Sequence, residues 1–167
     1  MVEPAESSRV GPRMIKRVIG VARRTEGEEP EWLPLDRVAE VEISSEDPSH
    51  PIEQAMVPGG TGWVAGEPGG QTVRLLFPQP QEVRRVRVVV EERERARTQE
   101  FVLRAWTPDG LEREIGRQQF NFSPGGATRE QEDYRVDLPS VAGMELSIVP
   151  DISGGGVRAT LRELRVG

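Results

Sequence analysis

Glycine and proline punctuate this chain along its whole length. The 167 residues include 18 Gly and 14 Pro, which fall between short apolar segments instead of collecting in one linker. Such spacing interrupts helices and favours turns, so it is typical of an all-β protein with many short strands. A chain of this length forms one domain, since domains run to roughly 100–200 residues. We therefore predict a single, largely helix-free domain.

Eight segments have the length of a strand and are bounded by turn-forming residues. Residues 83–90 are the clearest, because Val86, Val88 and Val90 share one face and charged residues alternate with them. This period of two is that of a half-buried antiparallel strand. The other segments are residues 71–77, 100–107, 111–115, 118–122, 134–138, 144–149 and 157–166. Eight strands of this kind predict a β-sandwich.

Two connections between these strands can be predicted from composition. Residues 107–110 read Thr-Pro-Asp-Gly, in which proline fixes one backbone angle and glycine accepts a positive φ, so they form a turn that closes a hairpin. Residues 91–97 are dense in Glu and Arg and have almost no apolar stripe. They therefore form a solvated loop or strand extension in which opposite charges pair.

The amino-terminal part of the chain is less regular. Residues 1–12 are polar and without periodicity, which predicts a disordered or frayed leader before a single β-sandwich domain over residues 13–167. Residues 14–24 alternate loosely and are interpreted as a strand. Trp32 and Leu33 follow an acidic connection, and we expect them to fold back over the core.

Charge and cysteine content exclude several functional classes. Against 28 Asp and Glu stand 22 Lys and Arg, for a formal net charge of −6 at pH 7, which disfavours binding of nucleic acid or anionic membranes by the surface as a whole. The chain has no cysteine, which excludes disulfides, zinc fingers, iron–sulfur clusters and thiol nucleophiles. It shows neither an export signal nor a segment of membrane-spanning length, so we expect a cytoplasmic location.

An ordered set of motifs runs from residue 38 to residue 167. It begins with Ile-Ser-Ser-Glu-Asp-Pro at residues 43–48 and continues with Pro51, Ala55, Thr61, Gly62, Trp63, the strand at 71–77, Pro80, Val83, the strand and turn at 101–110, and the final strand at 159–167. In this order and spacing the motifs resemble the discoidin, or coagulation-factor type C, family of galactose-binding-like β-sandwiches. The resemblance implies a jelly-roll sandwich whose loops at one end bind glycans, phospholipid headgroups or other proteins.

Two departures from the family pattern concern metal and disulfide chemistry. Many relatives hold a structural calcium with an aspartate in a turn that is Val-Pro-Gly-Gly here, at residues 57–60. A calcium site would then depend on backbone carbonyls with Asp47 or Glu163 as weak candidates, and we expect no cofactor. The two cysteines of many extracellular relatives are absent, which favours the intracellular bacterial or repair-scaffold members.

Four residues in or beside the predicted loops have the chemistry of a sugar site. Sugar recognition uses an aromatic face for the apolar side of a pyranose and amide or guanidinium groups for its hydroxyls. Trp63, Asn121, Phe122 and Arg129 offer these groups. The alternative for Trp63 is that it fills the core together with Trp106.

The function that follows is a non-catalytic module that recognises carbohydrate through loops at one end of the sandwich. A first alternative is an intracellular protein-interaction scaffold of the repair-scaffold type, so the partner is a glycan or a protein. A second is a hydrolase built on loop carboxylates, which are Glu26, Glu28, Glu29, Glu31, Glu130, Glu132 and Asp133.

His50 is the single histidine, and no Gly-x-Ser-x-Gly motif is present, so a serine–histidine triad is disfavoured. The glycine pairs precede no phosphate-loop motif and are interpreted as turns.

Overall fold

The computed structural model describes residues 31–167. The predicted leader (1–12) and the predicted strand at 14–24 lie outside this range. The described elements are, in chain order, α1 (Leu35–Val38), β1 (Glu40–Ile43), α2 (Glu53–Met56), β2 (Trp63–Pro68), β3 (Gln71–Glu91), β4 (Arg97–Trp106), β5 (Glu112–Phe122), β6 (Arg129–Val149), β7 (Arg158–Leu161) and β8 (Glu163–Val166). Neither helix in this part of the chain has the length and apolar character needed to cross a bilayer.

Two long strands, β3 and β6, run through both layers of the molecule. They pair antiparallel along most of their length, but the register shifts between Leu76 and Arg85. Pro78 and Pro80 lie in this irregular part of β3, since proline cannot donate a hydrogen bond to a neighbouring strand. Each strand therefore bends once and contributes its two halves to different layers.

The layers are antiparallel throughout. In one layer the strand order is β1-β3-β6-β4-β5, with the first half of β3 and the second half of β6 at its centre. In the other, the second half of β3 lies between β8 and the first half of β6, and the β2–β7 pair adjoins it through the chain from β7 to β8. This is the all-β jelly-roll sandwich that the sequence predicted.

The core lies between the layers and is filled from both. Val86, Val88 and Val90 are buried as their alternation predicted, and Trp63 and Phe101 are the largest fully buried side chains. The intervening Arg85 and Arg87 lie on the outer face, where their guanidinium carbons are 4.8 and 5.4 Å from the centroid of the Trp32 ring. Side-chain direction on β3 therefore separates an apolar interior from a charged outer face.

Several predicted segments are joined or divided differently in the structure. Residues 111–115 and 118–122 form one strand, β5, because Gly116 makes room for the ring of Tyr134 and is not a turn. Residues 71–77 with 83–90, and 134–138 with 144–149, are likewise the halves of β3 and β6, whereas 157–166 divides into β7 and β8. Strand β2 was not predicted.

The turn at 107–110 and Leu33 agree with their predictions, whereas the Trp32 ring stacks on Arg85 and Arg87 of the outer face instead of covering the core. The turn at 107–110 closes the β4–β5 hairpin with a hydrogen bond from Gly110 N–H to the Thr107 carbonyl (2.9 Å), and Gly110 has a φ of 86°. Leu33 packs against the core, and its N–H donates to the Val166 carbonyl (2.7 Å).

Candidate functional site

Connecting loops from both layers meet at one end of the sandwich. The loop after β3 is joined to the loop before β6 by a hydrogen bond from Glu92 N–H to the Thr128 carbonyl (2.8 Å). The loop after β6 is joined to β4 by one from Ile152 N–H to the Thr98 carbonyl (2.8 Å). Backbone bonds of this kind hold the loops in fixed positions, as ligand-binding loops on a rigid scaffold require.

A polar cleft of about 200 Å³ lies at this end, between β2, β7 and the end of β3. We call it the loop-end cleft. Its polar side chains are a histidine, two threonines, a glutamate and an arginine, namely His50, Thr61, Thr160, Glu91 and Arg162. They offer imidazole, hydroxyl, carboxylate and guanidinium groups, all of which form hydrogen bonds with sugar hydroxyls.

Glu91 organises the charged wall of the loop-end cleft. Its Oε1 accepts a hydrogen bond from Arg129 Nη1 (2.7 Å), and its Oε2 lies 4.0 Å from Arg162 Nε. The His50 backbone bonds to Asp47 and Val64, which fixes the loop that carries the imidazole. The charged wall of the cleft is thus held by contacts within the protein before any ligand arrives.

Trp63 lies in the wall of the loop-end cleft but belongs to the core. The residue is 1% exposed, and its indole N–H donates to the Ser45 carbonyl (3.1 Å). A ring buried in this way cannot offer its face to a sugar. The expectation that Trp63 stacks on a ligand therefore does not fit the structure, and the alternative of core packing does.

A second cleft, of about 330 Å³, adjoins the first and shares Arg162 with it. It lies between the turn at 57–60 and the outer face of β3, β6 and β8. We call it the arginine cleft, because its charged lining consists of four arginines and one glutamate: Arg87, Arg129, Arg162, Arg165 and Glu163. Gly59, with a φ of 69°, closes the turn on the other side.

The arginines of this cleft are paired with carboxylates on its border. Arg87 Nε donates to Asp133 (2.8 Å), and Arg165 Nε donates to Glu163 (3.0 Å). Burial by itself would raise the pKa of Asp133, but hydrogen bonds from Gln131 and Arg87 outweigh it and lower that pKa below its usual value. Asp133 is therefore a stable anion that holds Arg87 in place.

Of the four predicted ligand residues, only Arg129 lines the arginine cleft, where it is 49% exposed. Asn121 is exposed at the same end of the molecule, and its Oδ1 accepts a hydrogen bond from Thr98 Oγ1 (2.7 Å). Phe122 is buried against the guanidinium of Arg97, 4.7 Å from the ring centroid. Neither Asn121 nor Phe122 lines either cleft, so the predicted four do not form one site.

The weak metal candidates Asp47 and Glu163 are separate and internally bonded. Asp47 Oδ1 accepts the Ser49 N–H (2.9 Å), and Glu163 accepts the Arg165 Nε–H. Within residues 31–167, no three His, Cys, Asp or Glu side chains come together as a set of metal ligands.

A buried polar cluster, not foreseen from the sequence, connects the layers near the loops. Glu130 is 1% exposed and accepts a hydrogen bond from Gln99 (3.2 Å), while the buried Arg97 donates to Gln99 (3.1 Å) and to Glu92 (3.0 Å). Burial, and then the charge of Glu132, raises the pKa of Glu130 to about 7. No apolar alternation marks the start of β6, so the sequence carries no signal that Glu130 points inward.

A third cleft, of about 400 Å³, lies at the opposite end, beside the β4–β5 hairpin, and is mostly apolar. Trp106 forms part of it and is half-buried, with its ring lying across Gly143 of β6. The expectation that Trp106 fills the core was wrong, because its neighbour Ala105 takes the inward position. Polar groups of the kind used in sugar recognition line the two clefts around Arg162, and they also line a groove of about 310 Å³ on β1 and β3, formed by Glu42, Ser44, Thr72 and Arg74. The two clefts around Arg162 are the ones that lie at the loop end.

Comparison with known proteins gives similarity in structure alone. No protein-family model matches the sequence, and no curated protein matches it, so membership of the discoidin family is not confirmed. The solved structures that it resembles include a family 32 carbohydrate-binding module from Clostridium perfringens NanJ, in complex with galactose. The identity is 14% and the TM-score 0.59, over 81% of this chain and 96% of that one.

Two further structures extend this comparison. A second Clostridium perfringens family 32 module, in complex with GalNAc-β-1,3-galactose, has 16% identity and a TM-score of 0.57 over 81% of this chain and 99% of that one. The family 32 module of AlyQ, in complex with 4,5-unsaturated mannuronic acid, has 16% identity and a TM-score of 0.54 over 78% and 95%. These similarities show that the chain has the galactose-binding-like fold of such modules.

Proposed function

We propose that this protein is a non-catalytic carbohydrate-binding module that holds its ligand at the loop-end cleft. The observation that carries the proposal is the convergence of His50, Thr61, Glu91 and Arg162 in one cleft between fixed loops. Similarity in fold to modules solved with galactose and with GalNAc-β-1,3-galactose supports it. The relationship to the discoidin family that the motifs indicate is part of the same proposal.

Recognition without turnover fits the carboxylates of the described clefts better than hydrolysis does. Glycoside hydrolysis uses two carboxyl groups that flank the scissile bond, whereas Glu91 is the one acidic residue of the loop-end cleft and is bonded to Arg129. Glu130 is buried inside the sandwich, and Asp133 of the same strand is paired with Arg87 on the outer face. These two carboxyl groups do not face one another across a cleft.

The experiment is a glycan array followed by calorimetry on the full chain. We expect binding to at least one saccharide, weakened about tenfold or more in His50→Ala and in Thr61→Ala, since each loses a hydrogen bond to the ligand. Arg84→Ala is the control, because Arg84 is 75% exposed and pairs with Glu82 away from the cleft. Absence of binding to every glycan by the folded protein would contradict the proposal and leave the protein-interaction scaffold as the remaining prediction.

A further inference from the structure

The strand register brings arginines together on the outer face of one layer. Arg87 of β3 lies directly opposite Arg165 of β8 on one side and opposite Asp133 of β6 on the other. The adjacent Val86 and Val88 point into the core, so these three charged side chains share the outer face. Like charges directly opposite each other destabilise a sheet, and an anion bound nearby would reduce that cost.

The arginines in and around the arginine cleft outnumber the carboxylates with which they form ion pairs. Glu91 is within ion-pair distance of Arg93, Arg129 and Arg162. Asp133 forms ion pairs with Arg85 and Arg87, and Glu163 forms one with Arg165. Six guanidinium groups thus share three carboxylates in a protein whose net charge is −6. Four of the six, Arg87, Arg129, Arg162 and Arg165, line the arginine cleft together with one carboxylate, Glu163.

The cleft is also preorganised for an anion. The Arg165 side chain is 10% exposed, and its Nη1 donates to the Met56 carbonyl (3.2 Å) while its Nε donates to Glu163. Arg87 is fixed by Asp133 in the same manner, and Arg129, at the more exposed side of the cleft, by Glu91 and Gln131. Guanidinium groups that are already immobilised lose little entropy when they bind, and their planar donors match the paired oxygens of a carboxylate or sulfate.

We infer that the arginine cleft binds the carboxylate or sulfate group of an acidic saccharide, whose hydroxyls extend into the adjoining loop-end cleft. The inference rests on the proposed function and names the class of glycan. Arg129 and Arg162 are its direct contacts, because both are partly exposed and border the cleft. Arg87 and Arg165 provide the positive field behind them.

A nucleic acid fits these observations less well than an acidic saccharide. Single-stranded nucleic acids bind to basic grooves that carry aromatic side chains on which the bases stack. No aromatic ring lines the arginine cleft itself, and the neighbouring Trp32 ring already stacks on the guanidinium groups of Arg85 and Arg87. Hydroxyl-binding groups, in contrast, lie immediately beside the cleft.

Paired polymers that differ only in charge test the inference on the full chain. In native affinity gels we expect retardation by polygalacturonate but not by the same polymer with its carboxylates methyl-esterified, and by dextran sulfate but not by dextran if the acid group is sulfate. Retardation should weaken as NaCl rises from about 50 to about 500 mM, since salt screens exposed charges. The two pairs distinguish carboxylate from sulfate.

A matched pair of substitutions locates the site. Arg129→Gln should weaken binding to the acidic polymer about tenfold, the effect of losing a charge-assisted hydrogen bond. Arg117→Gln should leave it unchanged, because Arg117 is equally exposed (51%) and equally paired but lies on β5. Urea unfolding of both variants checks that the fold is intact.

The outcomes separate the inference from the proposed function. Equal retardation by the esterified and free polymers, or equal loss in Arg129→Gln and Arg117→Gln, would overturn the inference and leave carbohydrate binding in place. Tighter Arg129-dependent binding of single-stranded DNA than of any saccharide would overturn it in favour of nucleic acid. No binding to any saccharide, neutral or acidic, would end both proposals.

Discussion

The ionisation of Glu130 is coupled to folding. Its carboxyl group is buried between the layers with a pKa raised from 4.5 to about 7, so the folded protein binds this proton more tightly than the unfolded chain does. The stability that it contributes is therefore fully present below about pH 4.5 and is lost as the pH rises through about 7. Loss of this contribution is worth roughly 1–3 kcal/mol.

Glu130→Gln tests this, because the amide stays uncharged and can keep the hydrogen bond from Gln99. We expect urea unfolding to show that the free energy of unfolding falls between pH 5 and pH 8 in the wild type and changes less in the variant. Glu112→Gln, on the exposed start of β5, should behave like the wild type. The same pH dependence in wild type and Glu130→Gln would contradict the assignment. Asp133 and Asp151 have lowered pKa values, so their contributions to stability are lost only at more acidic pH, as the carboxylates become protonated.

Residue types in the clefts could be predicted better than their positions. Arg129 was predicted from its chemistry beside a loop, and the structure places it in the arginine cleft. Trp63 and Phe122 have the aromatic rings that stacking on a sugar requires, but both are buried. Whether such a ring is buried or exposed depends on the side of the strand that it occupies. Arg165 joins the site through the pairing of β8 with β3, and Arg162, between β7 and β8, through its N–H bond to the Val89 carbonyl. No local pattern encodes these long-range contacts.

At the scale of elements, Gly143 allows β6 to pass beneath Trp106 of β4. The two residues are directly opposite in the register, and a Cβ atom at position 143 would overlap the Trp106 ring and lie 2.9 Å from the Leu75 carbonyl oxygen. We expect Gly143→Ala to lower the free energy of unfolding by about 1–3 kcal/mol, because it overpacks a tight contact.

The control for this substitution is Gly126→Ala, in the loop before β6. The nearest atoms to an added Cβ are 3.6 Å away there, so the change should be within about 0.5 kcal/mol. Urea denaturation measures both variants. Equal stability of Gly143→Ala and the wild type would mean that the Trp106 ring moves aside at no cost.

The strands that could be predicted are those in which apolar residues alternate, as in the second half of β3. Glycine and proline led to wrong strand boundaries where they were interpreted as turns, since Gly116 and Pro139 lie inside β5 and β6. Strand β2 was missed because Gly66 and Pro68 interrupt its pattern. Gly66 is needed there, as an added Cβ would lie 2.7 Å from the Glu46 carbonyl oxygen. Glycines that serve packing and glycines that serve turns are indistinguishable in sequence.

For the whole molecule, the strands β3 and β6 make the two layers one cooperative unit. Each layer contains half of both strands, so neither layer keeps its central pairing when the other unfolds. We expect a single two-state transition in which far-ultraviolet circular dichroism and tryptophan fluorescence coincide. Separate midpoints for the two signals would show that the layers unfold independently.

Arg162 belongs to the walls of both clefts, which gives the binding surface a direction. A saccharide with its acidic ring at one side of this arginine must place the next ring at the other side. Under the inference drawn above, the binding surface spans two neighbouring sugars of one chain, so a disaccharide is the smallest ligand that fills it.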